Sequence, residues 1–403
     1  MNITQILKQN IAGKLLNHGI VFLINIAIVR ILGASGSGYY FNELYLLNFF
    51  VFIFSAGLDY AAIAWLSREP NLLNVIHQKL INISLFFVAA LLFFGLILIP
   101  KINFNFIQPA LAIILFGAGN IMLVLFQGVL SAFRKFNIQN GILAITNTVF
   151  LFYLIFFINT NDHTKVFQVS IGYAILYFAQ GILMLILSYK KSTPKQVEIN
   201  WLPFYRHGIF IMFSSLIYFC FLRIDNFFVE KNCDSTTLSN YVQCGKIGQY
   251  FIYFSSVISS TLLPFISSEK LGSNFNEWKK MMKPYIILVL IGAIILTSFG
   301  QIIYPFLFGE EFLEMNNLML ILLPGYVCLA ILTLMNAIYI GKGNIKKIFK
   351  GDLMGLIIVL SFDSFLVPEY GAKAAAVISS VAYCMVFLYL WHGLKNQFSV
   401  NNK

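Results

Sequence analysis

Long apolar runs with almost no charged residues recur along the whole 403-residue chain, and they constrain its fold more than any other feature. Hydrophobic residues make up 59% of the chain and charged residues 11%, with a mean hydropathy of +0.81. A soluble domain carries roughly 25% charged residues, so a soluble enzyme is excluded. Each crossing of a bilayer takes about 20 apolar residues, which allows about twelve crossings. Because backbone polar groups cannot stay open to lipid, the runs predict an all-α, polytopic membrane protein.

The positions of these runs predict twelve membrane-spanning helices in two groups of six. Weak similarity between segments about 200 residues apart suggests that the halves are repeats, which predicts two six-helix bundles, residues 1–192 and 193–403. The sequence GASGSG (Gly33–Gly38) fits a tight turn between the first two spans. The predicted spans are 11–32, 39–65, 80–99, 108–131, 138–158, 166–189, 207–229, 238–264, 284–307, 317–340, 349–366 and 371–391.

The distribution of lysine and arginine predicts the orientation in the membrane. About 19 of the 27 lie in loops and tails on the side of the N-terminus, and about four lie on the opposite side. Cytoplasmic loops carry such an excess, so both termini are predicted to be cytoplasmic. A basic face beside anionic lipids accounts for the net charge of +11 without a nucleic-acid partner.

The loops and motifs do not indicate an enzyme. No loop reaches the roughly 50 residues of an independent soluble domain, which excludes a catalytic ectodomain. The five cysteines are scattered without CxxC spacing, no histidine pair has metal-ligand spacing, and no nucleophile–base constellation is visible. We therefore predict no catalytic residue, no metal site and no cofactor.

Polar side chains inside the predicted spans are the candidate functional residues. An ionisable group there costs at least about 2.5–3.5 kcal/mol, so it should face a cavity or a partner. The alternative is a structural role as snorkelling helix ends and buried pairs. The residues predicted to line a transport cavity are Lys14, His18, Asn25, Arg30, Glu43, Asp59, Arg223, Asp225 and Lys246.

Helical geometry separates these candidates further. Lys14, His18 and Asn25 share one face of the first helix, which forms a polar stripe. Arg223 and Asp225 point to different faces of the seventh helix, so their partners are expected on other helices. Arg223 and Lys246 are the preferred cations of the cavity, because they lie away from the basic cytoplasmic face.

Three short segments resemble the polysaccharide-transporter proteins. VRILGASGSGYYF (Val29–Phe41) is similar to their first inter-helix turn, and LRIDNFFVE…LSNYVQCGKIGQY (Leu222–Tyr250) to their passage from the seventh to the eighth helix. PEYGAKAAAVISSVAY (Pro368–Tyr383) resembles the start of their last helix. These are the Wzx-type O-antigen flippases of the multidrug/oligosaccharidyl-lipid/polysaccharide exporter superfamily.

The resemblance implies a V-shaped, MATE-like arrangement of the two bundles in a bacterial inner membrane. It implies translocation of undecaprenyl-diphosphate-linked oligosaccharides by alternating access, with ion coupling left open. The implied partners are this lipid-linked glycan, membrane lipids, a polysaccharide polymerase and a chain-length regulator. The matched positions are Arg30, Arg223, Asp225 and Lys246.

Three alternatives remain at this point. A drug or metabolite cation antiporter of the same superfamily is the first. A membrane glycosyltransferase or ligase is the second, although neither an acidic catalytic motif nor a large outer loop is present. A lipid II flippase is the third, and such proteins typically have two additional spans.

Overall fold

The structure of the protein is a computed structural model that describes residues 3–98, 110–158, 164–189, 200–267, 275–341 and 344–400. All regular structure within these residues is helical, with short 3₁₀ helices at Pro70–Leu72 and Glu310–Phe312. The α-helices are α1 (Ile3–Ser55), α2 (Leu58–Arg68), α3 (Leu73–Leu98), α4 (Ala110–Ala132), α5 (Phe136–Phe156), α6 (Lys165–Ser188), α7 (Trp201–Asn232), α8 (Ser235–Ser267), α9 (Phe275–Phe308), α10 (Met315–Gly341) and α11 (Ile345–Val400).

Nine segments of the described residues are long and apolar enough to cross a bilayer. Two of them, Asn10–Ser55 and Ile345–Leu394, have 46 and 50 residues, about twice the length that one crossing needs. Each contains one glycine outside the helical conformation, Gly33 in α1 and Gly371 in α11. With these two segments counted as double crossings, the nine segments give eleven crossings; the 33-residue α8 corresponds to the predicted span 238–264 but is not one of the nine. The predicted all-α, polytopic fold is confirmed.

The turn predicted over Gly33–Gly38 is wrong in extent. Only Gly33 leaves the helix, with φ 72° and ψ 178°, and Ala34 already belongs to the next helical segment. A glycine accepts this left-handed φ without steric cost, so one residue is enough to separate the two segments. Gly38 lies inside the helix and packs against α8, where a Cβ would lie 2.7 Å from the backbone nitrogen of Ser239.

The predicted span 39–65 is interrupted, which the sequence pattern did not indicate. α1 ends at Ser55, and Ala56 (φ 48°) and Gly57 (φ 64°) adopt left-handed backbone conformations before α2 begins. The carbonyl oxygen of Gly208 on α7 occupies the place that a Cβ on residue 57 would need. Glycine is therefore required here for both its φ and its small size.

The chain forms two compact units, which we call the N-terminal unit (Met1–Leu32 and Tyr40–Leu216) and the C-terminal unit (Gly33–Tyr39 and Ile217–Lys403). In the N-terminal unit the largely buried α4 packs against α2, α3 and α6. In the C-terminal unit α10 packs against α8, α9 and α11. The division predicted at 192/193 lies outside the described residues and stays a prediction.

Candidate functional site

Arg223 and Lys246 come together inside the C-terminal unit. Arg223 on α7 is only 7% exposed, and Lys246 on α8 is half-buried. The Arg223 charge lies close enough to interact with the Lys246 ammonium. Gly245 makes room for this arrangement, because a Cβ there would lie 2.8 Å from Nη1 of Arg223. The structure therefore places two basic side chains in one region of an apolar helical unit.

Two tyrosine side chains, Tyr326 and Tyr383, lie near Arg223. The ring of Tyr326 on α10 packs directly over Gly248, in space that any larger residue would fill. The rings of Tyr326 and Tyr383 lie 5.8 Å apart, and Tyr383 packs edge-on against Phe221 at 5.2 Å. Guanidinium and ammonium groups recognise phosphate oxygens, and phenolic hydroxyls donate or accept hydrogen bonds. This set suits an anionic group attached to a polar headgroup.

Asp225 has its partners on other helices, as its face on α7 predicted. Its carboxylate is 4% exposed and accepts hydrogen bonds from the Tyr241 hydroxyl on α8 (2.5 Å) and the Ser379 hydroxyl on α11 (2.8 Å). The backbone N–H of Asn226 donates a third, at 2.9 Å. Asp225 therefore links α7, α8 and α11, and its charge also interacts with that of Arg223.

Asp363 on α11 is a functional candidate that the sequence analysis did not include among the predicted cavity residues. It is completely buried, and neither carboxylate oxygen has a hydrogen-bond partner within the described residues. Its charge interacts with that of Asp225, so two carboxyl groups share one buried region. Two neighbouring buried carboxylates cannot both stay ionised cheaply, so such a pair can hold a proton or a small cation. The sequence signal was that Asp363 is the one charged residue between Asp352 and Glu369.

The remaining candidates on α1 have mixed environments. Lys14 and His18 are half-buried and their charges interact, as their shared face predicted, and Asn25 is buried on the same helix. Arg30 is exposed, and Glu43 is half-buried beyond the Gly33 break. The polar stripe of the first helix is thus present, while Arg30 lies on the surface of its unit.

Asp59 belongs to a separate cavity within the N-terminal unit. This cavity has a volume of about 290 Å³ and lies at the junction of α1 and α2. It is lined by Asp59, Ser55, Gln127 and Ser131, together with residues of α4 and α7.

His77 is a buried polar residue that the sequence analysis did not single out. It lies on α3, is 3% exposed, and its Nε2 is 2.9 Å from the hydroxyl oxygen of Ser188 on α6. This hydrogen bond ties two helices of the N-terminal unit together, which is a structural role.

Comparison with known protein sequences gives a limited match. No family model matches the chain. The "Capsular polysaccharide biosynthesis protein CapF" of Staphylococcus aureus is 24% identical over 149 residues. The match covers 36% of this chain and 38% of that protein, so it spans well under two thirds of the relative.

Comparison with solved structures covers nearly the whole chain. The inward-closed lipid II flippase MurJ superposes with a TM-score of 0.76 at 14% identity, over 97% of this chain and 87% of MurJ. An inward-facing multidrug resistance MATE family transporter of the MOP superfamily gives a TM-score of 0.69 at 11% identity, over 96% and 95% of the two chains. A mutant of the Vibrio cholerae MATE transporter VcmN gives a TM-score of 0.68 at 15% identity, over 98% of each chain. The protein thus has the multi-pass, all-helical fold that MurJ and the MATE transporters share.

Proposed function

We propose that the protein is a flippase that moves undecaprenyl-diphosphate-linked oligosaccharides across the bacterial inner membrane for O-antigen or related surface-polysaccharide assembly. The observation that carries the proposal is the Arg223–Lys246 pair within the C-terminal unit. Two like charges among apolar helices are costly, and an anionic ligand offsets that cost. A diphosphate carries the matching negative charge, and it must pass the hydrocarbon region while its prenyl tail stays in lipid.

The comparisons support this choice among transport functions. The MurJ structure is that of a lipid II flippase, and the partial sequence match is to a capsular polysaccharide biosynthesis protein. The proposal includes cytoplasmic termini, alternating access, and cooperation with a polysaccharide polymerase and a chain-length regulator. Drug or metabolite cation antiport is the second candidate, because MATE transporters share the fold. Two adjacent cations disfavour a cationic substrate near Arg223.

We also propose that transport is coupled to an ion at the Asp225–Asp363 pair. Asp363 is buried and its carboxylate oxygens have no hydrogen-bond partner among the described residues, so binding of a proton or sodium ion would satisfy them. The pair lies in the same unit as Arg223, and the Arg223 charge interacts with Asp225. Ion binding and anion binding therefore act on one connected set of charges.

The test is complementation of a strain that lacks the gene. Deletion should abolish surface glycan while lipid-linked repeat units still form on the inner leaflet. Arg223→Ala and Lys246→Ala should reach the membrane in normal amounts and fail to restore glycan display. Lys246→Arg should restore part of the display, because charge matters more than shape for a mobile headgroup. Lys231→Ala is the matched control, since Lys231 is an exposed cation at the end of α7.

Other outcomes would point elsewhere. Normal display per inserted protein by both alanine variants would refute the role of the cation pair. Loss of the lipid-linked units themselves in the deletion strain would indicate a transferase. Unchanged glycan with increased sensitivity to cationic drugs would favour the antiporter.

A further inference from the structure

A polar cavity at one end of the C-terminal unit is used neither by the cation pair nor by the Asp225–Asp363 pair. It has a volume of about 470 Å³, within the range of roughly 300–1,000 Å³ that small-molecule sites occupy. Four parts of the chain form its wall: the end of α7, the start of α8, the start of α10 and the break at Gly371 in α11. The predicted topology puts all four on the periplasmic side.

The cavity lies further along the same helices whose side chains meet at Asp225. Asn232 follows Asp225 on α7 by about 10 Å of helical rise, and Thr237 precedes Tyr241 on α8 by about 6 Å. The cation pair is more distant, with Arg223 about 14 Å of rise from Asn232. A short chain of sugar rings attached to a diphosphate at the cation pair covers such a distance.

The side chains that line the cavity include both donors and acceptors of hydrogen bonds. Lys373 supplies only donors, Glu314 supplies only acceptors, and the amide of Asn317 supplies both. All three side chains are exposed. A bound anion needs donors and a bound cation needs acceptors, so the mixture matches neither. It suits a ligand whose groups both donate and accept, as hydroxyl groups do.

Further polar groups belong to the junction between α7 and α8. The Thr237 hydroxyl donates to Oδ1 of Asp234 at 2.6 Å, so the lone pairs of the hydroxyl oxygen stay available. Oδ2 of Asp234 accepts from the backbone N–H groups of Thr236 and Thr237 at 3.1 and 3.2 Å. The Asn232 amide donates one N–H to the Phe228 carbonyl oxygen at 2.8 Å and keeps its second N–H and its own oxygen. These bonds fix the groups before a ligand binds, which lowers the entropic cost of binding.

Tyr370 gives the cavity an exposed aromatic ring. Its side chain is 65% exposed and directly precedes the break at Gly371, where φ is 62°. The face of an aromatic ring carries partial negative charge and attracts weakly positive C–H groups. A sugar ring presents C–H groups on its face and hydroxyl groups around its edge. An open tyrosine beside mixed donors and acceptors therefore matches a sugar ring.

We propose that this cavity is a carbohydrate subsite, which binds a sugar ring of the lipid-linked oligosaccharide on the predicted periplasmic side. Tyr370 packs against the C–H face of the ring, and Glu314, Asn317 and Lys373 bind its hydroxyl groups. The inference rests on the proposed flippase function, in which the cation pair binds the diphosphate. The subsite is open to water, so each hydrogen bond contributes little and the sugar leaves readily after transport.

Saturation-transfer NMR on the purified full-length protein tests the proposal. The probe is the oligosaccharide repeat unit released from the surface glycan of the strain that carries the gene, freed of lipid and diphosphate. We expect saturable binding to the wild-type protein, with saturation transferred to the C–H protons of a sugar ring. Tyr370→Ala should raise the Kd about tenfold, because the aromatic contact is lost. Tyr189→Ala is the matched control and should leave the Kd unchanged, since Tyr189 is 60% exposed and lies in the N-terminal unit.

Asn317→Ala covers the case in which Tyr370→Ala lowers the yield of folded protein. This substitution removes an exposed amide from the first turn of α10 and should raise the Kd about three- to tenfold. Absence of saturable oligosaccharide binding to the wild-type protein would overturn the proposal. An equal Kd for the wild type, Tyr370→Ala and Asn317→Ala would also overturn it.

The subsite and the flippase function fail separately. Glycan display by the Arg223 and Lys246 variants reports on transport, so loss of the subsite leaves that result standing. Normal display by those variants, together with oligosaccharide binding that depends on Tyr370, would refute the role of the cation pair and support the carbohydrate subsite.

Discussion

The packing of α4 against α6 depends on glycine at position 119, and Gly119→Ala should destabilise the N-terminal unit. A Cβ on Gly119 would lie 2.5 Å from the carbonyl carbon of Tyr177 and closer still to the backbone of Phe178. Gly181 meets the Gly119 carbonyl oxygen in the same way from α6. Small residues allow membrane helices to approach this closely, and the obstacle here is backbone, which no rotamer change can move.

The magnitude follows from the overlap. An ordinary contact is at least 3.4 Å, so the two helices would have to separate by about 1 Å along their shared face. Overpacking of this kind costs about 1–3 kcal/mol, and the rigid partner places Gly119→Ala at the upper end. Gly141→Ala is the control, because nothing lies within 4 Å of its would-be Cβ, and alanine in a helix interior stabilises by about 0.5–1 kcal/mol.

Fluorescence-detected gel filtration after heating measures the difference. The midpoint for loss of the folded peak should fall clearly below wild type for Gly119→Ala and stay at or above wild type for Gly141→Ala. Equal midpoints for the two variants would refute the packing argument.

Two further predictions concern the junction between α7 and α8. Hydrogen bonds from the Thr237 hydroxyl and backbone N–H hold the pKa of Asp234 below its usual value. The stability that this helix cap contributes is therefore present above about pH 4 and is lost as pH falls through the lowered pKa. Asp234→Ala should lower the free energy of unfolding by about 0.5–2 kcal/mol at pH 7, and thermal-unfolding scans should show a smaller difference from wild type at acid pH. Cys233 is a half-buried free thiol beside this cap, so a membrane-impermeant maleimide should label the protein in intact spheroplasts. The Cys233→Ala variant, as the control, should lose this labelling. Labelling of Cys233 only after permeabilisation would contradict the predicted orientation.

The fold was predictable from the sequence because hydropathy counts crossings directly. The exact helix limits were not, because Gly33 and Gly371 redirect the chain within single residues and leave the apolar pattern nearly continuous. The break at Ala56–Gly57 depends on the backbone of Gly208, which is remote in sequence. Local pattern therefore locates the spans, while tertiary contacts decide where they bend.

The candidate site was predictable only where a charge interrupts an apolar run. Arg223 and Lys246 stand out in this way, and the structure places them together. Tyr241 and Ser379 are unremarkable in sequence and gain their role only because α8 and α11 bring them to Asp225. The burial of Asp363 beside Asp225 is likewise set by the packing of α11 and does not follow from its position in the sequence.

The charges of the C-terminal unit imply a sign for the coupling between ion and substrate. In the ion coupling proposed above, Arg223 and Lys246 supply positive charge, and each ion bound at the Asp225–Asp363 pair removes negative charge. Each proton or sodium ion bound at the acid pair therefore raises the positive potential at Arg223 and favours an anionic headgroup. Because linkage is reciprocal, the headgroup must raise ion affinity by the same factor. Asp363→Asn imitates the neutralised acid, so it should bind pyrophosphate at least as tightly as wild type and lose the dependence of that binding on sodium or pH. Isothermal titration with pyrophosphate measures both, and weaker binding by Asp363→Asn would show that the sign of the coupling is the opposite.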